Sequence, residues 1–95
     1  MKESELSPQE LKKELLKLST QLLGQSNREL NADWGESMAT YDKSKVVFRL
    51  ANMPNSSFDG QTSRVVLDWF RDAVLGRGVR AGEVDRLATE SFIKS

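Results

Sequence analysis

The sequence predicts a mainly α fold: a compact bundle of about four helices, with a short β-hairpin or intersubunit strand near residues 45–50. An α+β arrangement is the alternative. Three observations carry this expectation. Four stretches place apolar residues at helical spacing, most are bounded by capping or helix-breaking residues, and one short stretch alternates with the period of a strand. Ninety-five residues suffice for one domain over positions 1–95, with residues 1–6 expected to fray and residues 51–62 to form a loop.

The first helix is expected over residues 8–23. Ser7 can cap it, Pro8 suits the first helical position, and Glu10 completes a capping box with Ser7. Gly24 is the expected stop. Leu11, Leu15, Leu18 and Leu22 recur at spacings of four, three and four, and Leu16 and Leu23 widen that stripe. Two heptads are too short to establish a coiled coil, and packing within one bundle explains the spacing equally well. A second capping box, Ser26-Asn27-Arg28-Glu29, opens a helix expected to run to about Met38, with Leu30, Trp34, Met38 and Tyr41 at helical spacing.

Residues 45–50 are the strand candidate, with Val46, Phe48 and Leu50 on one side and Lys45, Val47 and Arg49 on the other. Such a strand needs a partner, from residues 37–41 or from a second chain; failing both, residues 46–53 form a helix stopped by Pro54. The following loop is rich in Asn, Ser, Asp and Gly, and holds Phe58, either pinned to the core or serving as a binding anchor. Two further helices are expected, residues 63–75 with Val66, Trp69, Phe70, Ala73 and Val74 on one face, and residues 81–93 with Val84, Leu87, Ala88 and Phe92. A glycine turn, Gly76-Arg77-Gly78, joins them into a helical hairpin.

The absences bound the chemistry. The chain has neither cysteine nor histidine, so disulfides, thiolate nucleophiles, iron–sulfur clusters and imidazole general bases are excluded. No cofactor is expected. The carboxylates Asp68, Asp72, Glu83 and Asp85 lie beside Arg64, Arg71 and Arg86 on expected helix faces, which reads as surface ion pairing and not as an active site. No apolar run reaches a membrane-spanning length, and residues 1–5 lack the apolar core of a signal peptide. A cytoplasmic protein without a membrane partner is expected.

The formal net charge is zero, but residues 1–42 carry five basic and eight acidic groups, while residues 43–95 carry nine and six. The principal functional expectation is a non-catalytic regulatory or adaptor protein, an inhibitor or accessory subunit acting by protein contact and dimeric. Its contact residues would be Leu11, Leu15, Leu18, Leu22 and Phe58, since an amphipathic helix can dock in a partner's groove or pair with itself.

The second expectation is DNA binding. A strand with alternating polar positions followed by two helices and a glycine turn resembles the ribbon-helix-helix repressors over residues 45–95. That resemblance implies an intertwined dimer in which Lys45, Val47 and Arg49 face base edges and Val46, Phe48 and Leu50 the dimer core. It also places the start of the last helix, at Arg80, near phosphates. Lys45, Arg49, Arg77 and Arg80 are the nucleic-acid candidates on this reading. The zero net charge offers little of the affinity that phosphate contacts supply, which ranks it second.

Overall fold

Ser7, Pro8 and Glu10 start the first helix as their chemistry dictates. The Glu10 N–H donates to the Ser7 hydroxyl at 3.3 Å and the Ser7 N–H to the Glu10 carboxylate at 2.9 Å. The bond from the Ser7 N–H, with the Ser7 hydroxyl beside it, holds the Glu10 carboxyl below its ordinary pKa. The computed structural model describes residues 5–94. In chain order it comprises β1 (Glu5–Leu6), α1 (Pro8–Glu29), α2 (Trp34–Ala51), a 3₁₀ turn (Asn55–Ser57), β2 (Thr62–Ser63), α3 (Arg64–Leu75) and α4 (Ala81–Ser91). The fold is mainly α, four helices with a short two-stranded antiparallel sheet.

Helix α1 passes through Gly24 and ends at Glu29, correcting the expected stop. A glycine inside a helix costs about 1 kcal/mol, an amount that tertiary packing overrides. Ser26 is therefore no helix cap but a buried interior residue of α1. The true start of α2 is Asp33, whose carboxylate accepts from the Glu36 N–H at 3.0 Å.

Residues 45–50 are helical, correcting the strand expected there. Val47, Leu50 and Ala51 bury against neighbouring helices, whereas Val46 is only partly buried and Phe48 is exposed. The β propensity of Val46, Val47 and Phe48 yields to that burial. Asn52 caps the end of α2 and Pro54 prevents its continuation. The sheet lies elsewhere, pairing Glu5 with Ser63 and Leu6 with Thr62.

That pairing also corrects the expectation of fraying over residues 1–6. Leu6 is buried and Glu5 is paired, while residues 1–4 lie outside the described residues. The stretch 51–62 is tied down as well, since Phe58 bridges to Ile93 and the Lys94 N–H donates to the Ser57 carbonyl at 2.8 Å.

The core lies where α3, α4 and the sheet wrap the base of the α1–α2 hairpin. Leu11, Leu15 and Leu18 of α1 join Val47 and Leu50 of α2, Leu67, Phe70 and Val74 of α3, and Val84, Ala88 and Phe92 at α4. Phe70 meets Phe92 edge-on at 4.9 Å, and Phe58 stacks beside Phe92 at 6.3 Å. On α3 the buried row is Leu67, Phe70 and Val74, so Trp69 faces solvent and Val66 is only partly buried, against expectation. This helix is apolar on more than one side, and the core covers only one row.

Truncating Leu15 or Leu22 to Ala removes side chains with no solvent exposure, so each is expected to destabilise the fold by about 2–5 kcal/mol. Urea titration checks this; a loss below about 1 kcal/mol would contradict the placement of these leucines in the core.

Candidate functional site

The seam between α1 and α2 is polar. Ser26 and Ser37 exchange bonds across it, each hydroxyl donating to the other's carbonyl, at 2.9 and 2.8 Å. Seven residues along each helix, the buried Ser19 hydroxyl donates to the Ser44 carbonyl at 3.1 Å. Thr40 donates to the Glu29 carboxylate at 2.8 Å. Small side chains let the two backbones approach closely, and their hydroxyls find partners inside the seam, so burying them leaves nothing unsatisfied.

These two serine pairs fix one antiparallel register. In that register Leu16 is level with Phe48, Leu23 with Tyr41, and Leu30, just past the end of α1, with Trp34. The six residues form three rungs one heptad apart, roughly 10 Å along the axis. All six, with Met38, are between 40% and 66% exposed. Ser19, Leu23, Tyr41, Ser44, Lys45 and Phe48 line a shallow groove of about 410 Å³ in the middle of this face. Thr20, Asn27 and Asn52 fill exposed positions between and beyond the rungs, Lys45 is the one charged group between them, and Lys12 and Lys13 flank Leu16 at the open end. Its ammonium lies 5.2 Å from the centre of the Tyr41 ring and 3.9 Å from the Asp42 carboxylate.

The opposite side of the hairpin is held by a buried cation. Lys43 is 2% exposed and donates to the carbonyls of Val74 at 2.6 Å and Gly76 at 2.9 Å, the last turn of α3. Unpaired carbonyls at a helix end carry partial negative charge, so an ammonium there serves as cap and counter-charge. Burial nonetheless lowers the Lys43 pKa below 10.5, with Glu36 opposing that shift and Arg80 adding to it. Arg80 in turn pairs with the largely buried Glu36 at 3.6 Å.

The sequence-predicted site residues lie differently. Leu11, Leu15, Leu18 and Leu22 are core side chains, so in this fold a partner does not reach them. Phe58 is likewise buried, against Phe92, and offers no anchor. Lys45, Arg49, Arg77 and Arg80 do not converge on one surface. Arg49 reaches Asp85 on α4, Arg80 reaches Glu36, Lys45 sits on the outward face, and Arg77 is exposed in the α3–α4 turn. With residues 45–50 helical, the paired strands that the ribbon-helix-helix resemblance implies are not present among the described residues.

The carboxylates singled out earlier are mostly in surface ion pairs, Asp68 with Arg71 at 2.6 Å, Glu83 with Arg86 at 3.7 Å and Asp85 with Arg49. Among the described residues no cluster of acidic groups could hold a metal ion. A second, smaller apolar patch lies on α3, where Val65 and Trp69 are 73% and 53% exposed beside Val66, Glu90 and Ser91. The sequence does not single out the outward face of the hairpin, because Leu16 and Leu23 read as fringe to the inner stripe and Leu30 as the start of a second helical row. Their repeat of seven, matched by Trp34, Tyr41 and Phe48, is the signal that finds it.

Comparison with known proteins brings no match: no protein-family model, no curated protein and no solved structure is similar to this chain.

Replacing Lys43 by Met keeps most of the packing volume but leaves two α3 carbonyls without their donor, and is expected to cost about 2–4 kcal/mol at neutral pH. The pH dependence has a definite sign. Because the folded pKa is depressed, the folded chain binds fewer protons than the unfolded one as pH approaches 10.5, and stability rises with pH there. The wild-type advantage over Lys43→Met, measured by urea titration, should therefore grow between neutral pH and 10.5. A constant or shrinking advantage would contradict the desolvated ammonium.

Proposed function

We propose that the protein is a non-catalytic contact module of the cytoplasm, a small adaptor, inhibitor or accessory subunit that works through the outward face of the α1–α2 hairpin. The observation that carries this reading is an inversion. Along the outer half of the hairpin the inside is lined by Ser19, Ser26, Ser37, Thr40 and Ser44 around one buried leucine, Leu22, and the outside by Leu23, Leu30, Trp34, Met38 and Tyr41. A monomer gains nothing from large apolar groups held in water, and a contiguous patch of this kind, poor in charge and rich in aromatics, has the composition of an interface centre.

Its shape also favours contact over small-molecule capture. The groove is shallow and open, with one charged group and no convergent set of polar donors to orient a ligand. No helix among the described residues is long and apolar enough to cross a membrane. A cysteine-free chain of this size suits a reducing compartment, where disulfides are not used.

A photo-crosslinking residue in place of Phe48 tests the reading in cells, with the same residue in place of Gln61, in the loop before β2, as the control. The Phe48 position should give protein adducts that the Gln61 position does not. Equal or absent adducts at both positions would sink the proposal.

A further inference from the structure

We infer that the occupant of this face is a second copy of the chain, two hairpins closing face to face into a four-helix bundle about a two-fold axis. The inference rests on the reading of the face as a contact surface and names its partner. Four properties of the face lead there.

The first is area. Scaled by ordinary side-chain areas, the exposed parts of the three rungs and Met38 come to roughly 700 Å², near the ~800 Å² that each partner contributes to a standard stable interface. A peptide or single docking helix would cover one groove between α1 and α2 and leave part of this ladder in water, whereas a second hairpin covers all of it.

The second is period. The rungs repeat every seven residues on both helices, so the face stays aligned along its whole length when hairpins supercoil gently around each other. An isologous contact requires a surface complementary to itself, and an evenly spaced ladder has that property.

The third is the division of the ladder into two rails. Leucines occupy the α1 rail and Trp34, Tyr41 and Phe48 the α2 rail. An axis along the hairpin lays each leucine against the partner's aromatic, so small meets large in every layer and volumes interdigitate.

The fourth is charge. Between its rungs the face carries one cation, Lys45, held near Asp42 and the Tyr41 ring of its own helix, and two more, Lys12 and Lys13, flank Leu16 at its open end. A strongly basic partner would find almost nothing to pair with. Under the axis just described Lys45 meets the partner's Thr20, so the two copies bring no like charges together.

Sedimentation equilibrium on the full chain at about 100 µM, above the micromolar end expected for an interface of this size, should give twice the 10.7 kDa chain mass. Leu23→Glu with Tyr41→Glu should weaken association at least about 100-fold with unchanged helical circular dichroism, because both side chains are exposed. Thr20→Arg with Asn27→Arg, at positions already polar and exposed, should do the same without touching any apolar contact. Val65→Glu with Trp69→Glu, on the α3 patch, should leave the dimer intact.

A wild-type chain of single mass overturns the inference, as does a dimer indifferent to both sets of face substitutions or one dispersed by the α3 substitutions alone. The contact reading fails separately. If the chain is monomeric yet the Phe48 crosslinker still captures a different protein, the second copy is wrong and the contact surface stands. If it is monomeric and captures nothing, both are wrong.

Discussion

Everything in this fold depends on the register and rotation of α1 against α2, and the exchange of hydroxyl-to-carbonyl bonds between Ser26 and Ser37 sets both. Apolar seams can slip or rotate at small cost because dispersion is non-directional. A buried hydroxyl cannot, since a shifted seam would leave it unpaired in a dry environment at a cost of about 1–3 kcal/mol. The Ser19 contact to the Ser44 carbonyl repeats the constraint one heptad along. With rotation fixed, Leu11, Leu15, Leu18 and Leu22 must face α3 and α4, Leu16, Leu23 and Leu30 must face away, and Lys43 must point at the end of α3.

The Lys43 contact carries that order to the rest of the chain. Helices α3 and α4 have 12 and 11 residues, too short to persist alone in water, so they depend on docking. Phe70, Val74, Val84 and Phe92 supply the apolar part of that docking at the base of the hairpin. Further out the seam is mostly polar, with Leu22 its one buried leucine, and the α3–α4 turn is held there by charge, Lys43 on two carbonyls and Arg80 on Glu36. A buried ammonium is a poor source of net stability, because desolvation offsets most of what its bonds return. What it contributes is direction, since few other placements of the turn satisfy it.

The sequence made the locally determined features legible. The start of α1, the spans of α3 and α4, the row on α4 and the stop at Pro54 all follow from caps, breakers and period, and the structure agrees to within a residue or two. The errors fall where tertiary contact outweighs local preference. Gly24 reads as a stop, but beyond it Ser26 and Glu29 gain partners on α2; Val46, Val47 and Phe48 read as a strand, but Val47 and Leu50 bury only as a helix. The serines misled most. Ser26 reads as a helix cap and no local signal marks Ser19, Ser37 or Ser44 as buried, so the seam is not legible, nor is the distinction between the leucines that fill the core and those that face out.

That distinction divides the leucines of the first helix, and those the sequence names for contact are the buried set. An α-helix with apolar side chains on two sides needs two things to pack against. One side of α1 is satisfied within the chain, at Leu11, Leu15, Leu18 and Leu22. The other, at Leu16, Leu23 and Leu30, is matched in register by aromatics on α2 rather than covered by them, and hydroxyls occupy the seam between the two rails. Had leucines filled that seam, the hairpin would be bulkier and the rails further apart, with a cleft between them. Serines draw the helices together and bring the rails side by side into one continuous surface. The polar interior and the apolar exterior are thus one device, in which small residues inside the hairpin build the flat ladder outside it.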